Sequence, residues 1–204
     1  MTPLSPLEEV LLALAGLKYQ LEPCLRTFKR YMHDHEAKAS LANYLLVLVA
    51  SFDQEWRRLE KLGDNAEVRH TLRVASPALK RIRAWRGLHR LRSSMLAHGF
   101  RDKKGRLVNT SVLFGPGEAP THFAGQVLLG ELAVYAIATA ICHHSSVRDC
   151  ALKKLIAIWP DEESGPSGIT TMAEFEGEIQ SVRSEMFSKD ASLERCFAGT
   201  TSGT

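Results

Sequence analysis

The sequence predicts an all-α fold: an antiparallel helical bundle with extra C-terminal helices and one long loop. Apolar residues recur at spacings of three and four through four long segments, the period that gives a helix one buried face. Nowhere do strand-like and helix-like segments alternate, and neither GxGxxG nor GxxxxGK[ST] occurs, which disfavours a doubly wound nucleotide-binding sheet. At 204 residues the chain suits one main domain with appendages. We expect a helical-bundle domain over 1–160, then a linker, a C-terminal helix and a disordered tail over 161–204.

The first helix is expected over about 5–36. Leu7, Val10, Leu11, Leu14, Leu17 and Leu21 share a stripe behind a Ser5-Pro6 start, and Pro23 should kink or divide it. The second, about 39–62, begins with the nearly all-round apolar "SLANYLLVLVASF" and stops at Gly63. Asp64 then caps a third helix running to about 99, with an interruption at Ser76-Pro77. Gly105, Gly115, Pro116, Gly117 and Pro120 break the period that follows, so this stretch reads as a long exposed loop with 107–114 extended.

Helical period returns in "THFAGQVLLGELAVYAIATAICHH", whose small residues permit close packing. Within it Glu131 requires a partner, for which Arg92 or another arginine of the third helix is the candidate. Shorter helices follow over about 148–159 and 172–189. No run reaches the roughly 18 to 20 apolar residues of a membrane span. Glu8 and Glu9 stand where a secretory signal would carry positive charge. Cys24, Cys142, Cys150 and Cys196 form no CxxC pair, which excludes a zinc knuckle or a disulfide framework, and Cys142 and Cys150 fall in apolar surroundings. These features point to a cytoplasmic protein.

Charge is unevenly spread. From Lys80 to Arg106 ten Lys/Arg face one acid, Asp102, a local charge of +9 that leaves −6 for the rest of a chain whose total is +3. Concentrated positive charge favours a polyanion; the alternative is a solvated helix face. Within this segment "LRSSMLAHGF" sets Arg92 and His98 near an apolar stripe. On one helix they stand about 120° apart and about 9 Å along the axis, too far to act together. Two copies packed across a two-fold axis bring each arginine toward the other's histidine. A histidine can exchange a proton with a ribose 2′-hydroxyl at neutral pH, and an arginine can hold a scissile phosphate bidentately. Such cleavage requires no metal or other cofactor.

Arg92-Ser93-Ser94-Met95-Leu96-Ala97-His98 resembles the Arg-x(4 to 6)-His signature of the HEPN superfamily, and the run "LKRIRAWRGLHRLRSSMLAHGFRDKKG" is similar to its abortive-infection AbiU2-like branch. The resemblance covers mainly residues 40–145. It implies a HEPN-like bundle and a metal-independent endoribonuclease of toxin or antiphage type, acting as a homodimer with the motif at the interface. His98 is then the general acid/base, Arg92 the phosphate stabiliser and Ser93 a polar helper. Arg86, Arg90, Arg101, Lys103, Lys104 and Arg106 are the RNA contacts. Ser93 stands where Asn is commonest. Phe100 stands where some toxin members carry a tyrosine modified by a partner nucleotidyltransferase, so that route to neutralisation by an antitoxin partner is in doubt.

Two other readings compete. One is a non-enzymatic helical dimer that binds nucleic acid or a partner protein. The other is a metal-dependent phosphohydrolase resting on His33, Asp34 and His143, for which the run "HDHE" and the pair His143-His144 supply ligand types without an HExxH spacing; a solvated helix end is the plainer account of both runs. Trp56, Trp85 and Trp159 read as core or interface anchors, His89 as a structural histidine and His122 as a helix-start residue.

Overall fold

The structure, a computed structural model, describes residues 3–88, 119, 120, 122–158 and 171–189. Among these residues it is all-helical, with six helices and no strand: α1 Pro6–Arg30, α2 His35–Glu60, α3 Ala66–Arg83, α4 Phe123–His143, α5 Ser145–Ile158 and α6 Met172–Lys189. The chain divides into two units, Met1–Ile158 and Trp159–Thr204. In the first, α1 to α5 form a helical bundle; in the second, α6 is the described element.

Local chemistry explains most of the helix bounds. Ser5 caps α1 in a capping box: its hydroxyl accepts from the Glu8 amide at 3.3 Å, and its own amide donates to Glu8 Oε2 at 2.7 Å. The first helix ends at Arg30 rather than near 36, because Asp34 accepts from the Ala37 amide at 2.9 Å and so starts α2 at His35. Asn65, not Asp64, caps α3, its side-chain oxygen accepting from the amides of Glu67 and Val68. His122 is the N-cap of α4, as expected of a helix-start residue, though its side chain makes no capping bond.

Neither internal proline breaks its helix, contrary to expectation. Pro23 and Pro77 both lie on exposed faces, and the carbonyls they leave unpaired belong to the exposed residues Tyr19 and Arg73. Water can satisfy those carbonyls, so each proline costs a hydrogen bond without disrupting the packed face. The third helix is shorter than the sequence pattern implies. It stops at Arg83, and residues 84–87 form a turn that includes Gly87, so Ala84 and Trp85 do not continue its stripes toward the motif.

The core is organised around α4, which packs against α1, α2 and α3. Contrary to the expectation of no such run, α4 is long and apolar enough by length and composition to cross a membrane. Here it is the central helix of the bundle, with Leu129, Ala133, Ala136, Ile137 and Ala140 buried. Its closest approach is at Gly130, where an added Cβ would stand 2.8 Å from Leu45 Cδ1 and 2.9 Å from Leu25 Cδ2. Both leucines are buried, so they have little room to give. Glu131, one residue on, is paired by Lys29 of α1, whose Nζ lies 2.6 Å from Oε1. This corrects the expected arginine partner: α1 flanks that side of α4 and supplies the cation. On α2, Phe52 and Trp56 are fully buried and stack at 5.5 Å, which makes Trp56 the anchor expected of it.

A second long-range tie joins the start of the chain to α5. Glu8 is buried, and Lys154 donates to its Oε1 at 2.7 Å. That bond, with the donated Ser5 amide, lowers the Glu8 carboxyl from an ordinary 4.5 to about 2. The folded state therefore binds this proton less readily than the unfolded chain does. Its stabilisation is complete above about 4.5 and disappears as pH falls toward about 2. Urea melts between these limits should show stability declining with acid, and Glu8→Gln should flatten that part of the profile; an unchanged slope would exclude Glu8 as its source. Gly16 has open space around it, whereas Gly130 has none. Gly16→Ala should accordingly raise stability by about 0.5–1 kcal/mol, and Gly130→Val should lower it by about 1–3 kcal/mol or more, both read from chemical denaturation midpoints.

Candidate functional site

Of the site residues expected from sequence, Arg86 falls within the described part of the molecule. Arg90, Arg92, Ser93, His98, Arg101, Lys103, Lys104 and Arg106 lie outside the described residues, as do His89, Trp159 and the stretch 107–114. Arg86 is exposed beside a cleft of about 250 Å³ lined by Asp53, Arg57, Ile82, Arg83, Trp85, Arg86 and Leu88. This cleft lies at the C-terminal end of α3. Leu88, the last described residue before the Arg92 segment, is buried there and ties the chain to the core.

The cleft is built on a buried carboxylate. Asp53 occupies the same stripe of α2 as the buried Leu45, Leu46, Val49 and Trp56, and only 3 % of it is exposed. A charge in that position requires paired donors. Arg57, one turn on, donates through Nε to Oδ2 at 2.9 Å, and Arg83 donates through Nε to Oδ1 at 2.6 Å. Arg83 also grips Glu60 with both terminal nitrogens, NH1 to Oε1 at 2.7 Å and NH2 to Oε2 at 3.0 Å, a bidentate fork. Burial favours loss of the Arg83 proton, but its hydrogen bonds to Glu60 and Asp53 outweigh this and hold its pKa above the usual arginine value. Arg83 is thus a clamp that fixes the end of α3 against α2.

Arg57, Arg83 and Arg86 against Asp53 and the Glu60 carboxylate on Arg83 leave a net charge of +1 around the cleft, with Arg57 half-exposed and Arg86 exposed. The arrangement suits an anion such as a phosphate. The described lining holds no histidine, and Asp53 is committed to two guanidinium groups. These residues can bind and orient; an acid/base group has to come from elsewhere. Sequence reasoning overlooked Asp53, Arg57 and Arg83. The available signal was an acid in phase with the apolar stripe of α2, followed four residues later by an arginine.

A second polar cluster lies at the other end of α3, about 18 Å along its axis. Thr71 Oγ1 donates to the Glu67 carbonyl at 3.1 Å and lies 3.0 Å from both His143 Nδ1 and His144 Nε2. The Thr71 hydroxyl thus ties both imidazoles of the α4–α5 turn to α3. His143 is exposed, as a solvated helix end implies, but His144 is buried, a correction for that residue: the α4–α5 turn folds its ring in against Thr71. Burial lowers its pKa, against the opposing pull of Glu67, whose Oε2 is 3.9 Å from Nδ1. His70 stacks on His143 at 5.0 Å.

Asp34 is committed to capping α2, and no group of three or more His, Cys, Asp or Glu among the described residues is placed to hold a metal ion. Cys24 is buried, which pushes its thiol pKa up. Cys142 and Cys150 are exposed, a correction to their expected apolar setting, since both fall on outward faces of α4 and α5.

Removing the carboxylate should expose the dependence of the cleft on its clamp. Asp53→Ala leaves Arg83 partly buried without one of its two acceptors and should cost about 2–3 kcal/mol, measured by denaturation, whereas Arg86→Ala should stay within about 0.5 kcal/mol of the parent. Equal effects from the two would contradict the division into clamp and lining. Comparison of the chain with family models, curated proteins and solved structures returns no match in any of the three.

Proposed function

We propose that this chain is a HEPN-like, metal-independent endoribonuclease of toxin or antiphage type, working as a homodimer in a reducing cytoplasm. The observation that carries the reading is the arginine-lined cleft at the end of α3, from which the chain leads in sequence into the basic Arg92-x5-His98 segment. Phosphate binding by Arg57 and Arg86 would place a backbone near that segment. Arg92 then stabilises charge on the scissile phosphate, Ser93 assists through its hydroxyl, and His98 moves the proton between the 2′-hydroxyl and the leaving oxygen. The 2′-hydroxyl attacks phosphorus, the 5′-oxygen bond breaks, and a 2′,3′-cyclic phosphate remains. Arg90, Arg101, Lys103, Lys104 and Arg106 extend the contact along the strand.

A second reading is a helical dimer that binds nucleic acid or a partner protein without cutting. It is favoured by the described lining itself, which offers donors for an anion and no free base. Incubation of RNA with the purified chain in EDTA separates the two. The ribonuclease reading expects 2′,3′-cyclic phosphate ends, with cleavage reduced about 10²–10⁴-fold by His98→Ala and about 10²–10³-fold by Arg92→Ala. Activity lost on chelation would end the metal-free mechanism. Salt-dependent RNA binding that Arg86→Ala weakens, without cleavage, would favour the second reading.

A further inference from the structure

The described helix of the C-terminal unit, α6, buries none of its residues. Its large apolar side chains, Met172, Phe175, Ile179, Val182 and Met186, are between 39 % and 69 % exposed. Their spacing is three, four, three, four, the a and d positions of a heptad repeat. At 100° per residue all five fall within about 80° of arc, a narrow seam rather than the broader face that packs on a globular core. A seam of this kind is covered by another helix of the same kind.

The flanks of the seam identify the other helix. Counting Met172 as a, Glu178 and Glu185 take g positions and Glu176 and Arg183 take e positions. In a parallel pair each g residue meets the e residue five places on in the other chain. That sets Glu178 against Arg183 of the second copy, twice by symmetry. An antiparallel pair in the matching register would join Glu176 to Arg183 but set Glu178 against Glu185, gaining two attractions and two repulsions. Arg183 rests over the Phe187 ring, its guanidinium carbon 5.7 Å from the centroid, and turns from that outer b position to meet Glu178 of the second copy.

We infer that α6 is a self-association element, pairing in parallel with α6 of a second copy of this chain through the Met172, Phe175, Ile179, Val182 and Met186 seam. Two and a half heptads make the pairing weak and concentration-dependent. It stands apart from the ribonuclease reading, since no residue of the seam is assigned to RNA.

The full chain carrying Cys142→Ser, Cys150→Ser and Cys196→Ser, with Met172→Cys added, provides the test. Parallel pairing brings the two introduced thiols together at the start of the seam, so mild oxidation should yield a disulfide-linked dimer at a rate that rises with protein concentration. Val182→Asp should slow its formation by about tenfold or more, the factor that corresponds to 1.4 kcal/mol. Glu178→Arg should slow it as well, and adding Arg183→Glu should restore it. No linked dimer, or one indifferent to Val182→Asp, would overturn the inference, as would a Met172→Cys chain that links faster to a Lys189→Cys chain than to itself. RNA cleavage is not the readout, so either result leaves the ribonuclease reading where it stood.

Discussion

The bundle depends on a single close contact, where Gly130 of α4 meets Leu25 of α1 and Leu45 of α2. An apolar helix packed against three neighbours needs at least one short approach, and α4 still leaves Leu128 and Tyr135 exposed on its remaining side. Gly130 provides that approach, and the small residues Ala133, Ala136 and Ala140 continue it toward the C-terminal end. The position of α1 follows, and with it the reach of Lys29 to Glu131. A charged side chain on so apolar a helix is tolerated because the cation beside it is brought by the same packing.

The same constraint organises the polar chemistry. Once α2 is pressed against α4, Asp53 lies on its buried stripe and has to be neutralised by whatever its neighbours can supply. Arg57 comes from the same helix and Arg83 from the end of α3, so electrostatics determines where α3 finishes relative to α2. At its opposite end α3 is held by the Thr71 hydroxyl, which gathers His143 and His144 at the α4–α5 turn. Apolar burial brings the helices together, and these two polar clusters fix how α3 lies along them.

The existence and order of the helices were legible from period alone, and the last, 172–189, matched its bounds. Two misjudged boundaries come from capping chemistry that sequence period does not rank, Asp34 starting α2 and Asn65 rather than Asp64 starting α3, whereas α3 ends early because residues 84–87 turn. Proline presented a related difficulty. Whether Pro23 or Pro77 breaks a helix depends on whether the orphaned carbonyl faces water, which is a property of the packed bundle rather than of the residue. Partners remote in sequence were the least legible. Glu131 was recognised as a carboxylate in need of a cation, but Lys29 stands 102 residues away, and only the packing of α1 on α4 brings it near. Of the candidate site, the basic stretch could be read from charge, whereas the Asp53 clamp had only a faint signal, an acid in phase with the apolar stripe of α2 and an arginine four residues on.

The cleft and the motif divide the chemistry in a way that neither reveals alone. A guanidinium committed to two carboxylates, as Arg83 is, carries charge that is largely answered, so its contribution is geometric. Arg57 and Arg86, more open to solvent, retain attraction for a phosphate. Asp53 accepts from two guanidinium groups and is committed to the clamp. The described lining therefore offers donors for an anion and no imidazole. His70, His143 and His144 lie about 18 Å away along α3, too far to reach a phosphate held in the cleft. His89 and His98 follow Arg86 by three and twelve residues in the sequence, and both lie outside the described residues.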